Sequence, residues 1–207
     1  MPEPLRTRAP HRGARRGPLA VLPALIALVA VPLLAGCAPE EADPAVANAG
    51  YEAGDGSYTS WGPGGRADAI DLTATTYDGE EISLADLRGD VVVLNYWYAA
   101  CPPCRVEAED LEAISKDYAD QGVTFLGVNG RDDAATAQAF NDTFGVTYPS
   151  IDDRDAAAVA AMEGAVPLNA VPTTVVLDTS GRPAARILGI ADDATLRGIL
   201  DDTLAEG

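Results

Sequence analysis

Residues 91–107, VVVLNYWYAACPPCRVE, decide the fold of this chain. The run of apolar, β-branched residues predicts a buried strand over residues 91–97, and a helix is expected from about residue 102. Cys101 and Cys104 therefore lie where a strand leads into a helix. The first N–H groups of a helix lack intrahelical partners and carry the positive end of its dipole, so a thiolate at Cys101 is stabilised there.

The two cysteines have the Cys-x-x-Cys spacing that is typical of dithiol redox chemistry at such a junction, although the same spacing is also half of a zinc site. His11 is the only histidine, and it lies in a segment that we expect to be removed on export, so further sulfur or imidazole ligands are lacking. We therefore predict a redox-active disulfide between Cys101 and Cys104, with no metal and no cofactor. An inert structural disulfide is the other alternative, but so short a loop stabilises little.

The position of each cysteine indicates its role. Cys101, at the mouth of the helix, is predicted to be the exposed attacking thiolate, and Cys104, one turn further in, the more buried resolving thiol. Glu107 shares a helical stripe with Cys104 and with large apolar residues, because these positions recur at steps of three and four. We expect Glu107 to face the core, hold its proton and exchange it with Cys104; a glutamate that reaches water is the alternative.

The N-terminal residues 1–37 have the pattern of an export signal. Five arginines precede residue 17, and no charged residue occurs from residue 17 to residue 39. The segment ends in Leu34-Ala35-Gly36-Cys37, which resembles the lipobox of bacterial lipoprotein precursors. We predict that Cys37 carries the lipid and anchors the protein to the outer face of the cytoplasmic membrane; an uncleaved anchor or an ordinary signal peptide is the alternative.

The remaining chain divides by composition into two parts. Residues 38–66 are rich in acidic residues, glycine and alanine, which predicts a flexible linker, and residues 67–207 have the size of one domain. Removal of residues 1–37 leaves 31 acidic and 9 basic side chains, a net charge near −22. Such a surface excludes nucleic acid and anionic membrane surfaces as ligands.

The order of predicted elements in residues 67–207 defines an α/β domain. A hairpin is expected over residues 68–84 with its turn at Asp78-Gly79, followed by alternating strands and helices and then a closing hairpin around residues 178–181. Alternation followed by a hairpin predicts a mixed central β-sheet flanked by helices. Pro172 must begin a strand or mark a turn, since proline cannot lie inside a central strand.

These motifs together resemble the TlpA/ResA-type thiol-disulfide oxidoreductases of the thioredoxin superfamily. The resemblance covers residue 68 to the C-terminus and rests on five groups of residues, which are Leu94-Asn95-Tyr96-Trp97, Cys101-Pro102-Pro103-Cys104-Arg105 with Glu107, the expected strand over residues 123–129, Val171-Pro172-Thr173-Thr174 and the turn at residues 178–181. It implies a thioredoxin-like fold with an N-terminal β-hairpin extension and a cis proline at Pro172. It also assigns substrate binding to Trp97, Val171 and Pro172.

The resemblance further implies a function. Members reduce disulfides outside the cytoplasmic membrane, for example in apocytochrome c or copper-handling proteins, so the expected partners are disulfide-containing proteins and a membrane electron donor. The family usually has tryptophan directly before the first cysteine, where this chain has Ala100, so the substrate-facing surface differs. The alternatives are a peroxiredoxin-like peroxide reductase and a Sco-like metal chaperone, which needs a histidine that the mature chain lacks.

Overall fold

The computed structural model describes residues 50–207, which form a sheet of seven strands, a separate two-stranded sheet and four α-helices. The strands are β1 (Tyr51–Glu52), β2 (Tyr58–Ser60), β3 (Thr73–Thr75), β4 (Glu81–Ser83), β5 (Val91–Tyr96), β6 (Val123–Asn129), β7 (Ser150–Asp152), β8 (Thr173–Leu177) and β9 (Pro183–Leu188). The helices are α1 (Pro102–Tyr118), α2 (Ala134–Phe144), α3 (Ala157–Ala161) and α4 (Asp193–Ala205). No helix among these residues is both long and apolar enough to span a bilayer.

The large sheet is mixed, as predicted. Its strand order is β1-β2-β9-β8-β5-β6-β7, with β5 parallel to β6, β6 parallel to β7 and every other pair antiparallel. Strand β5 is central and is buried along its whole length, which explains its almost uninterrupted run of apolar residues. The sequence thus predicted the thioredoxin-like α/β fold correctly.

Each face of the sheet is covered by its own apolar cluster. Val92, Leu94 and Tyr96 contribute to the cluster shared with the β3–β4 hairpin and α3. Val91 and Val93 point to the other face and join apolar residues of α1 and α4. Because successive side chains of a strand alternate between faces, Asn95 also points toward α1, and this places its amide at the candidate site.

The predicted N-terminal hairpin is present as β3 and β4, joined by a turn in which Gly79 has a φ of +83°. Such a positive φ favours glycine, so the Asp78-Gly79 signal identified the turn correctly. The hairpin is attached to the large sheet beside β7, because the Tyr77 N–H donates to the carbonyl of Ser150 at 3.0 Å.

The predicted flexible linker is wrong for the part that the structure describes. Strand β2 pairs with β9 and extends the sheet, Trp61 packs against the apolar core, and Arg66 forms ion pairs with Asp178 at 2.9 Å and Glu206 at 2.6 Å. The physical reason is that β9 offers hydrogen-bonding groups along its edge, which even a polar segment can pair with. The predicted signal peptide, the lipid site at Cys37 and residues 38–49 of the linker lie outside the described residues.

Candidate active site

The two cysteines form a disulfide at the start of α1, with their Cα atoms 5.3 Å apart. Cys101 is the N-cap residue, and its Sγ accepts a hydrogen bond from the Cys104 N–H at 3.2 Å. Pro102 and Pro103 occupy the first two helical positions, where a missing N–H costs no intrahelical hydrogen bond. The sequence between the cysteines therefore starts the helix and leaves one of its free N–H groups directed at sulfur.

Both cysteines are buried in this disulfide state, so the predicted exposure of Cys101 is wrong. Cys101 and Cys104 are each 1% exposed and lie in an apolar cluster with Trp97, Phe140 and Val146. The Sγ atom of Cys101 is bonded to Cys104, which lies deeper in the helix, so the sulfur is directed inward.

Pro172 lies opposite the disulfide, in the cis peptide bond Val171–Pro172, at the residue before β8. The carbonyl oxygen of Val171 is 3.9 Å from the Cys101 Sγ. Val171 is 39% exposed, whereas Pro172 is buried. The cis peptide that the family resemblance implied is thus present, and the exposed Val171 lies beside the cysteine pair.

Glu107 is buried one turn after Cys104, on the stripe that helical periodicity indicated. Its Oε1 accepts a hydrogen bond from the Asn95 side-chain amide at 2.9 Å, and its Oε2 accepts one from the Ala191 N–H at 2.8 Å. Burial raises the pKa of Glu107 to about 7, although both hydrogen bonds act to lower it. The carboxyl group can therefore both give and take a proton near neutral pH.

Asn95 links this carboxyl group to the strand that follows Pro172. Its amide also donates to the Thr174 hydroxyl at 3.1 Å, so a single side chain joins α1 to β8. Within the described residues, Glu107 has no direct hydrogen bond to Cys104, and its place beside the sulfur follows from their shared helical face.

Asp132 is a residue at the site that the sequence analysis did not identify. Its Oδ2 accepts hydrogen bonds from the Ala99 N–H at 2.6 Å and from the Asn129 amide at 2.9 Å. The Ala99 carbonyl in turn accepts from Arg105 Nη1 at 3.1 Å. Ala99, two residues before Cys101, is therefore held at both its N–H and its carbonyl group. The available signal was the position of Asp132 just after β6, since the carboxyl ends of parallel strands meet at one edge of a sheet.

Trp97, to which the resemblance assigned substrate binding, is largely buried and lines one of the clefts beside Val171. It is 5% exposed, stacks on Phe140 at a centroid distance of 4.3 Å and donates from Nε1 to the Ser150 hydroxyl at 3.3 Å. A side chain at position 127 would clash with Trp97 and Ser150, so Gly127 makes room for this contact. Trp97 therefore packs beneath the cysteine pair.

The surface around the disulfide is partly apolar. Three large apolar residues remain exposed, and each directly precedes a residue of the site in the sequence. Val106 precedes Glu107, Val171 precedes Pro172, and Ile190 precedes Ala191. Beside Val171 lie two clefts that have five lining residues in common, which are Tyr96, Tyr98, Arg131, Val159 and Val171. One of them is also lined by Asp153 and Arg154. Exposed apolar residues and clefts next to a reactive group are features of a surface that binds a polypeptide.

A thioredoxin fold with a Cys-x-x-Cys disulfide at a helix start, opposite a cis proline, places the chain in the thioredoxin-like class of redox proteins. The chain belongs to the AhpC/TSA family, whose model matches residues 66–182.

Similar proteins carry names that agree with this class. Thiol-disulfide oxidoreductase ResA of Halalkalibacterium halodurans is 34% identical over 113 residues, which are 55% of this chain and 62% of that protein, so the match spans less than two thirds of the relative. The structure of a DsbF homologue from Corynebacterium diphtheriae is 35% identical, with a TM-score of 0.64 over 73% of this chain and 96% of that one. A secreted thiol-disulfide isomerase from Corynebacterium glutamicum is 32% identical, with a TM-score of 0.68 over 75% and 96%.

Proposed function

We propose that this protein is an exported thiol-disulfide oxidoreductase that reduces disulfides in other exported proteins. The observation that carries the proposal is the Cys101–Cys104 disulfide at the start of α1, facing the cis Val171–Pro172 peptide and backed by the buried Glu107. The names of the relatives support it.

The proposed reaction is two successive thiol-disulfide exchanges. In the reduced protein the Cys101 thiolate, stabilised by the helix start, attacks one sulfur of a substrate disulfide. That S–S bond breaks, a Cys101–substrate S–S bond forms, and the departing substrate thiolate takes up a proton. The Cys104 thiolate then attacks the Cys101 sulfur, so the mixed disulfide breaks and the second substrate thiol leaves. Two electrons pass to the substrate, and a dithiol donor at the membrane restores the pair.

Glu107 and Val171 have supporting roles in this proposal. The Cys104 thiol must lose a proton before it attacks, and Glu107, whose pKa is about 7, can accept that proton at neutral pH. The exposed backbone at Val171 lies within reach of the Cys101 sulfur, so an extended substrate segment can pair with it while one of its sulfurs approaches Cys101. Pro172 sets the direction of this backbone.

The proposed location is outside the cytoplasmic membrane, with a lipid on Cys37 as the anchor. The basic start, the uncharged stretch and the Leu34-Ala35-Gly36-Cys37 motif support export and acylation. A relative described as secreted supports the extracytoplasmic location. Apocytochrome c and copper-handling proteins are the proposed substrate classes.

The test is an exchange assay on the full-length protein in detergent micelles. We expect the protein to catalyse insulin reduction by dithiothreitol and Cys101→Ser to abolish this activity, while Cys104→Ser should accumulate a mixed disulfide with substrate. Absence of exchange together with consumption of hydrogen peroxide at Cys101 would contradict the proposal and favour the peroxiredoxin-like alternative. Labelling of the protein by a radioactive fatty acid, lost in Cys37→Ser, tests the anchor.

A further inference from the structure

The basic residues of this acidic protein differ in whether they form ion pairs with its carboxylates. Residues 50–207 contain 28 acidic and 9 basic side chains. Ion pairs are formed by five of the nine, which are Arg66, Arg88, Lys116, Arg154 and Arg197. Two more, Arg182 and Arg186, donate to main-chain carbonyl groups and lie partly or fully inside the domain. The remaining two, Arg105 and Arg131, are exposed and form no ion pair within residues 50–207.

Arg105 and Arg131 both contact the segment that leads to Cys101. Arg131 stacks on Tyr98 at 4.3 Å, and Arg105 stacks on Phe144 at 5.0 Å while it donates to the carbonyl of Ala99. Stacking on an aromatic ring fixes the position of a guanidinium group and leaves the N–H groups at its edge available for a carboxylate. Ala100 adds only a methyl group to this surface.

Arg131 also lines both clefts beside Val171, together with Tyr98 and Val159. A substrate segment paired with the backbone at Val171 therefore passes Arg131 while its sulfur approaches Cys101. Arg154 lines one of these clefts as well, but Asp152 neutralises it in an ion pair. The acidic remainder of the surface repels a negatively charged segment, so among the described residues Arg105 and Arg131 are the cations without an ion pair that such a segment meets next to the disulfide.

We propose that Arg105 and Arg131 select substrate proteins in which carboxylate side chains flank the reactive cysteine. This inference rests on the proposed function and names the substrate class of the same site. Arg131 binds a carboxylate on the side of Val171, and Arg105 binds one on the side of α1. A lysine at either substrate position is repelled, whereas a neutral residue is tolerated.

The test compares three peptides of equal length in which Glu, Gln or Lys flanks one cysteine, joined by a disulfide to the neutral leaving group 2-thiopyridine. Release of thiopyridone gives the rate constant for attack by the reduced full-length protein, corrected for the rate with dithiothreitol. We expect the Glu peptide to react about three- to fivefold faster than the Lys peptide for each arginine present, with the difference reduced at high salt. The ratio of the two rates is unaffected by changes in Cys101 reactivity.

The variants locate the effect. Arg105→Gln and Arg131→Gln should each lower the Glu-to-Lys ratio, the double variant should bring it close to one, and Arg131→Lys should retain most of it. Arg197→Gln is the matched control, because Arg197 also stacks on a tyrosine but bonds Asp117 at the far end of α1. A ratio below one, or a ratio unchanged in the double variant, overturns the inference. Failure of the Gln peptide to react at all would contradict the proposed function instead.

Discussion

Glu107 is the residue whose environment is most unusual for its type. The Glu107 carboxyl group is 1% exposed and its hydrogen-bond donors, the Asn95 amide and the Ala191 N–H, are neutral, so its protonated form is favoured more than it would be in water. Helical spacing identified its inward position, because steps of three and four residues place Glu107 and Cys104 on one face. The partners Asn95 and Ala191 could not be predicted, since they come from β5 and from the segment after β9.

The pH dependence of stability tests this environment. The pKa of Glu107 rises from its ordinary value of 4.5 to about 7 on folding, so its contribution to stability is fully present below pH 4.5 and is lost as the pH rises through about 7. We expect the wild type to lose about 3 kcal/mol of unfolding free energy relative to Glu107→Gln between about pH 4 and pH 8. Urea denaturation of the oxidised wild type and the oxidised Glu107→Gln variant across this pH range measures the difference in unfolding free energy. If the two plots of unfolding free energy against pH ran parallel, the pKa of Glu107 would not be shifted by folding.

Asp132 is expected to position the segment before Cys101. Asp132→Ala leaves the Ala99 N–H without its acceptor, so we expect a loss of about 1 kcal/mol in stability. The rate of Cys101 attack should also fall several-fold, because the sulfur is less well positioned. Denaturation and thiopyridone release measure the two effects. Asp120→Ala removes an exposed carboxylate beyond α1 and should change neither, and an unaffected rate in Asp132→Ala would exclude the positioning role.

Trp97 is a residue whose exposure the alternating pattern of a strand could not predict. Alternation along a strand indicates exposure only where one face of the sheet meets water, and here both faces are covered. The strand pattern therefore could not separate a tryptophan beneath the cysteine pair from one on the surface beside it.

At the scale of elements, the strand predicted over residues 91–97 and the helix predicted from about residue 102 agree with β5 and α1 within a residue, and the error at residues 38–66 occurs where pairing depends on distant partners. Strand β2 pairs with β9, and the Thr59 hydroxyl accepts from Arg186, 127 positions later in the chain. Strand β7 begins only at Ser150, and the Thr147 N–H that precedes it donates to a Glu112 carboxylate oxygen at 2.8 Å instead of to a neighbouring strand. Local composition carries no information on either contact.

The docking of the segment before residue 66 can be tested by two substitutions within it. Trp61 packs against the apolar core, so Trp61→Ala should lower the unfolding free energy by about 2 kcal/mol. Tyr51 is 59% exposed, so Tyr51→Ala should change it by less than about 0.5 kcal/mol. Urea titration followed by circular dichroism compares the two. If both substitutions changed the unfolding free energy by a negligible amount, the segment before residue 66 would be a flexible linker, as its composition indicated.

At the scale of the whole molecule, the dominant feature is a formal net charge of −18. Carboxylates outnumber the cations that could pair with them, so mutual repulsion lowers the stability of the folded state. We expect added sodium chloride to screen this repulsion and to raise the unfolding free energy by on the order of 1 kcal/mol, a few degrees in Tm for a domain of this size. Thermal unfolding at low and high salt measures the change, and a lower Tm at high salt would show that the surface ion pairs outweigh the repulsion.

The hydrogen bond between Glu107 and the Ala191 N–H has a thermodynamic consequence that extends across the molecule. It joins residues 84 positions apart, and Ala191 follows the exposed Ile190. Any polypeptide that displaces Ile190 and lengthens this bond removes an interaction that favours the ionised carboxyl group, and so raises its proton affinity. By reciprocity, protonation of Glu107 favours the displaced segment to the same extent. Protonation of Glu107 and binding of such a polypeptide at Ile190 are then linked equilibria, because each event raises the affinity of the protein for the other ligand.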